Sequence, residues 1–325
     1  MSRIVSSRRL LAVGLLTAAT GLLAPAAGSG AAVASAPQHR TAAASTGAAC
    51  LDRATGTGAA AARGAGGHGP DTRGVSAAEQ RRIEARTRTT LSSKSAQRRR
   101  AAAASIGAIP VYVHVMLGKN NAGNVTASQI TRQIAVLNAT YGGRDTSGPG
   151  VNTGIGFYLA GTDRYVNATW HRDKASTTYR TKTRLGGRNA LNIWLVDFDY
   201  LGIATFPWDY ARQPGIDGIR VQYSSLPGGS IANYDQGKTA THETGHWLGL
   251  YHTFQGGCAD PGDEVADTAA QASPSTGCPT GRDSCPAPGL DPIHNYMDYS
   301  YDSCYFTFTA GQDSRMHQMW TAYRG

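Results

Sequence analysis

Aromatic side chains are missing from the first hundred residues: every Trp, Tyr and Phe of the 325-residue chain lies beyond position 100. Large aliphatics are also few there after the opening stretch, so that front segment cannot bury a core of its own. Residues 101–325 are long enough to do so, and the chain reads as one globular domain preceded by something else. No run of about 20 strongly apolar residues occurs, which argues against a membrane anchor. The sequence also lacks paired C-x-x-C knuckles, excluding a zinc ribbon, and lacks the G-x-S-x-G elbow of the common serine hydrolases. Acidic residues are scarce in front, with 4 Asp/Glu against 15 Lys/Arg in residues 1–100 and 18 against 16 afterwards. The formal charge of +9 therefore belongs to the front segment. The globular part offers no positive field to a phosphate backbone, which removes nucleic acid as a partner.

Residues 1–34 have the layout of a secretory signal: Arg3, Arg8 and Arg9, an apolar stretch from Leu10 to about Ala26, then small residues that allow cleavage after Ala34. The protein is thus expected outside the cell. Residues 35–104 read as a removable pro-segment with one helix-prone stretch, VSAAEQRRIEARTRTTL, ahead of the basic run Arg98, Arg99 and Arg100. Such a run, where polar chain meets the first core-like strand, is where processing proteases cut. The remaining span, 105–325, is the catalytic-domain candidate. IPVYVHVML and IGFYLAG read as strands, ASQITRQIAVLNATY as an amphipathic helix, NALNIWLVDFD as a buried strand and DGIRVQYSSL as another. The Gly-, Tyr- and Pro-rich stretch between the last two reads as a loop. A final helix starts after Thr309, with Gln312 completing a capping box and Met316, Met319, Trp320 and Tyr323 on one face. The pattern predicts an α/β or α+β fold: a twisted mixed sheet with an active-site helix, then a loop-rich C-terminal subdomain ending in a helix.

The chemistry sits in HETGHWLGLYH, an H-E-x-x-H-x-x-G-x-x-H pattern made by His242, Glu243, His246, Gly249 and His252. Histidines four apart project from one face of a helix and can meet at a single ion. Gly249 can adopt a backbone conformation closed to other residues, turning the chain back so that His252 becomes a third ligand. Three neutral imidazoles suit catalytic zinc, which keeps its fourth position open for water. Glu243 follows the first ligand without being one, and is placed to take that water's proton and pass it to a leaving amine. Forty-five residues beyond His252, IHNYMDYS supplies Met297, a soft apolar floor for the imidazoles, with His294 ordering the turn.

Five cysteines occur, four of them clustered at Cys258, Cys278, Cys285 and Cys304. In an exported chain these read as two disulfides, for which three pairings are open. The fifth, Cys50, could place a thiolate on the open zinc position and hold a zymogen silent. The loop CADPGDEVADT is dense in carboxylates, which suits calcium.

The extended motif with its Met-turn is that of the metzincin metalloproteases. The wording around it (THETGHWLGLYHTF, GGC, GDEVADT, HNYMDYS, SCYFTFTAGQDSRM) resembles the pappalysin family in its shorter, ulilysin-like form. The resemblance covers about residues 105–325. It implies a zincin-like catalytic domain, zinc on His242, His246 and His252, Glu243 as base, and Tyr299, two past Met297, stabilising the transition state. It further implies the disulfides Cys258–Cys285 and Cys278–Cys304, and a structural calcium whose ligands include Asp263 and Asp267. Some members read an Arg after the scissile bond through an acidic residue behind the Met-turn, where this chain has Ser303 with Asp302 before it. The reading is a secreted, monomeric zinc endopeptidase acting on proteins or peptides. Its alternatives are a peptidase confined to a single partner and a disulfide-stapled protein that binds metal without turnover; the intact Glu243 argues against the latter.

Overall fold

A computed structural model describes residues 75–98 and 106–325. The signal sequence over 1–34, Cys50 and the 99–105 segment lie outside the described residues. All described residues belong to one compact unit, Arg53–Gly325.

Four parallel strands and one antiparallel edge strand form the sheet. Strand β1 (Ile109–Leu117) pairs with β2 (Phe157–Val166) on one side and β3 (Leu191–Val196) on the other, and β3 pairs with β5 (Ile219–Gln222). All six residues of β3 are buried, as a parallel strand covered on both faces requires, and its run LNIWLV is correspondingly continuous rather than alternating. Strand β4 (Gly202–Ala204) closes the order β2-β1-β3-β5-β4 and runs antiparallel to β5. It falls inside the stretch read as loop. Three residues containing a glycine carry no periodic signal, and β4 exists through its register with β5.

Helix α2 (Ala127–Tyr141) has the predicted bounds because its start is chemically fixed: Thr126 Oγ1 accepts from the Gln129 amide and Gln129 Oε1 accepts from the Thr126 amide, both at 3.1 Å. Ile130, Ile134, Leu137 and Tyr141 form its buried stripe. Two short helices, α3 (Ala168–His171) and α4 (Ser176–Thr183), fill the crossover from β2 to β3. The motif helix is α5 (Lys238–Trp247), and all ten of its residues are buried. A helix enclosed on every side needs internal partners for its polar groups. Lys238 pairs with Asp145 at 2.8 Å and donates to the Tyr305 carbonyl, while Tyr141 Oη donates to the Thr241 carbonyl.

Beyond α5 the chain forms loops until α6 (Ala310–Tyr323), whose capping box joins Thr309 and Gln312 as the sequence indicates. Ahead of the sheet stands α1 (Ala77–Arg98). Val75 and Ile83 at this end of the chain share one core cluster with β1, β3, Trp247, Met297 and Met319.

Candidate active site

His242 and His246 stand one turn apart on α5 with their Nε2 atoms 3.1 Å from each other. Gly249, at φ +100°, turns the chain immediately after the helix, and a Cβ there would lie 2.5 Å from Met319 Cγ. The turn is closed by the Gly249 amide on the His246 carbonyl and the Leu250 amide on the Gly245 carbonyl. It returns His252, whose Nε2 lies 3.3 Å from that of His242 and 3.0 Å from that of His246. The three rings are at most 6% exposed.

The protons of two rings follow from their neighbours. His242 Nδ1 donates to the Tyr296 carbonyl at 2.6 Å and His246 Nδ1 to the Leu250 carbonyl at 2.8 Å. A carbonyl only accepts, so in each neutral ring Nε2 carries the lone pair and faces the other rings. A tetrahedral zinc with bonds of about 2.0–2.1 Å places neighbouring ligand nitrogens roughly 3.3–3.4 Å apart. The observed spacing fits that ion with little movement.

Glu243 is fully buried and lies against β4, where a Cβ on Gly202 would fall 2.4 Å from its Cγ. Gly202 is thus the residue that lets the edge strand approach the glutamate. Gly245 has the same role toward Met297: a Cβ there would lie 2.5 Å from Sδ, so the buried thioether is pressed onto the backbone of α5. The sequence reading missed both glycines; Gly245 sits within the motif, at one of its unspecified positions. The Tyr299 ring packs against His242, His252 and Phe254 with centroids 5.7, 5.0 and 4.9 Å away, and Phe254 stacks on His252 at 4.6 Å.

Residues 201–321 match the peptidase family described as pregnancy-associated plasma protein-A. An extracellular metalloprotease of Verticillium alfalfae is 49% identical over 227 residues, 66% of this chain and 76% of that protein. One from Neurospora crassa is 47% identical over 224 residues, 66% and 75% of the two chains. This chain belongs to the pappalysin family of metzincin metallopeptidases. Among solved structures, mature mirolysin of Tannerella forsythia with a cleaved peptide is similar at TM-score 0.58 and 33% identity, over 66% of this chain and 91% of that one. A promirolysin variant is similar at TM-score 0.63 and 30% identity, over 76% and 92%; the pro-form therefore matches the larger share. This pappalysin is accordingly a zinc-dependent endopeptidase with a mixed α/β zincin-like fold.

The loops below the zinc helix of the pappalysin chain are held by Cys258–Cys285 and Cys278–Cys304, with Cα atoms 5.5 and 5.6 Å apart. His294 Nδ1 donates to the Cys304 carbonyl at 2.7 Å, and its ring stacks on Phe306, which ties the start of the Met-turn to the second disulfide. Asp298, next after Met297, accepts from Gln271 and from the Ser275 amide, each at 3.0 Å. Asp302 is buried and accepts from the Gln236 amide, while Ser303 is exposed. In the acidic loop, Asp263 is buried and accepts from the Thr268 hydroxyl and the Val265 amide; burial pushes its pKa up to about 6. Asp267 accepts from the Thr309 hydroxyl and the Gly311 amide at the start of α6, where the helix dipole favours an anion. Among the described residues, the side chains that converge as three or more ligands are the histidine triad and Cys278, His294 and Cys304, and those two cysteines are bonded to each other.

Proposed function

We propose that His242, His246 and His252 hold the catalytic zinc, that Glu243 is the general base and acid, and that Tyr299 stabilises the transition state of a secreted endopeptidase. The observation that carries this is the convergence of three Nε2 atoms within 3.3 Å, with two of the rings fixed in the zinc-binding tautomer by backbone carbonyls. Zinc held by these three rings would supply Lewis acidity, making water a better nucleophile near neutral pH and polarising the scissile carbonyl. Glu243 takes the attacking water's proton on its carboxylate and returns it to the leaving amine nitrogen. Tyr299, packed on two of the ligand rings, contributes a phenol donor near the oxygen on which charge develops. Strand β4 is an edge strand and touches Glu243 through Gly202, so an extended substrate added to that edge would run past the base.

The same reading makes residues 1–34 the export signal, 35–104 the pro-segment and 105–325 the catalytic domain. Its support is the composition of the front segment, the extracellular metalloproteases among the relatives, and the larger share matched by the pro-form of mirolysin. Among the described residues no helix is long and apolar enough to cross a membrane.

The test is digestion of an unfolded protein by the processed enzyme, with the products sequenced by mass spectrometry. Internal cuts that stop on chelation and resume with zinc are the expected result, and they also reveal the residue preference beside Asp302 and Ser303. Zinc-loaded, processed protein that cuts nothing would leave the single-partner peptidase or the metal-binding protein in its place.

We extend the reading to a structural calcium on Asp263 and Asp267. Its support is the carboxylate density of the loop and the buried position of Asp263, whose ionised form is costly without a cation. Protein stripped of metal and reloaded with zinc should regain its full melting temperature only when calcium is added. An unchanged midpoint on adding calcium would assign both carboxylates to hydrogen bonding alone.

A further inference from the structure

Helix α1 does not lie on the zinc ligands. Its buried positions Gln80, Ile83, Glu84 and Thr87 follow i, i+3, i+4, i+7 spacing and form one face, which rests on α6 and the turn after the motif helix. Glu84 and Arg315 form a bidentate ion pair at 2.6 and 3.3 Å, with the two residues 8% and 6% exposed. The same guanidinium donates through Nε to the Gly249 carbonyl at 3.0 Å and lies over the Tyr251 ring. Thr87 shares a hydrogen bond of 2.7 Å with the Tyr323 hydroxyl, and Lys94 donates to the Thr321 carbonyl. At the other end Gln80 donates to the Gly262 carbonyl, and the Gln255 amide group donates to the Val75 carbonyl. The chain thus enters α1 beside the loop that leaves the third zinc ligand.

Three of the four buried positions on this face are polar and each has a specific partner on the catalytic domain. A face of that kind resembles a separable interface more than the interior of a domain. None of these contacts involves the 99–105 segment, so cutting that segment removes none of them. We propose that the surface formed by α6 and the Gly249 turn is a docking site for α1 that outlasts cleavage between residues 98 and 106. Maturation then has two steps, hydrolysis of the connecting chain and departure of α1, and the Glu84–Arg315 pair sets the second. The proposal rests on the reading of residues 35–104 as a pro-segment. It uses only hydrolysis by an external protease, followed by dissociation.

The test takes the full chain with a rare protease site placed within residues 99–105, cuts it to completion, and follows it by gel filtration and mass spectrometry alongside hydrolysis of a quenched peptide. The α1-bearing fragment is expected to co-elute with the catalytic domain after the cut, and the peptide assay reports the state of the active site while α1 is still bound. Truncating one partner of a buried charge pair acts mainly on the off-rate, so Glu84→Ala should shorten the retention half-life by on the order of 10²-fold. Glu84→Gln, which keeps one acceptor, should fall between this variant and the wild type. Thr87→Val reads the same surface through a neutral bond, with an expected loss of about fivefold, should Glu84→Ala fail to fold. A wild-type fragment that elutes alone as soon as the chain is cut overturns the proposal, and so does retention that ignores both α1 substitutions. Failure of the zinc-site reading would look different, since no peptide would be hydrolysed at any stage while co-elution could still be scored.

Discussion

Glu243→Gln should lower kcat/KM on an unfolded-protein substrate by about 10³-fold, the range of general acid–base catalysis, with zinc content and melting temperature unchanged. Glu243 is fully buried on α5, one residue past His242 and pressed against Gly202 of β4. Glutamine has nearly the same shape, so the close approach to the edge strand survives. The three imidazoles keep their spacing because their orientation depends on Gly249 and on the carbonyls of Tyr296 and Leu250, none of which involves Glu243. What is lost is a carboxylate able to take a proton from the attacking water and return it to the amine. Kinetics beside metal analysis would check this; a variant retaining a tenth or more of wild-type activity would place the base on another residue. A protein that binds metal without turnover predicts something else, namely no cleavage by either form at equal zinc content.

Much of this centre is legible in the sequence because its geometry is local. The spacing of His242 and His246, the turn at Gly249 and the capping boxes at Thr126 and Thr309 span three to ten residues, a range over which backbone periodicity converts sequence into position. The contacts that support the centre are not local. Gly202 matters because a side chain 41 positions away approaches it, and Gly245 because Met297 does. Strand β4 is too short to show alternation and is specified by its pairing with β5. Helix α1 reads in isolation as polar chain with helical propensity, since its partner Arg315 lies 231 residues beyond Glu84. The pairing of the four clustered cysteines is open on composition and is specified only by the fold that brings Cys258 to Cys285 and Cys278 to Cys304.

The buried ion pair behind the zinc helix gives the second large expected effect. Arg324 is 1% exposed and makes two 3.0 Å bonds to the carboxylate of Asp217, which is fully buried. Its Nε donates to the Trp247 carbonyl at 3.0 Å and its guanidinium lies 3.6 Å over the Trp247 ring. Asp217 in turn accepts from the Trp247 indole and from Thr205. Burial lowers the pKa of Arg324, and the Asp217 carboxylate opposes that shift; Arg184 stands 3.6 Å from the same carboxylate as a second, looser partner. The last residue of α5 is therefore held by its carbonyl, its indole nitrogen and its ring face at once, which anchors the helix end opposite Lys238. Arg324→Met removes the two close charge bonds and leaves the buried carboxylate to Arg184 at 3.6 Å, a defect that costs at most about 3–5 kcal/mol, the range typical of a broken buried pair. For a domain of this size that corresponds to a melting temperature lower by roughly 6–20 °C. Because most of the cost is a buried charge deprived of its close partner, Asp217→Asn combined with Arg324→Met should destabilise by less than the sum of the two single changes. Thermal unfolding of the three variants checks this, and strict additivity would mean that the two side chains act independently on Trp247 instead of compensating each other.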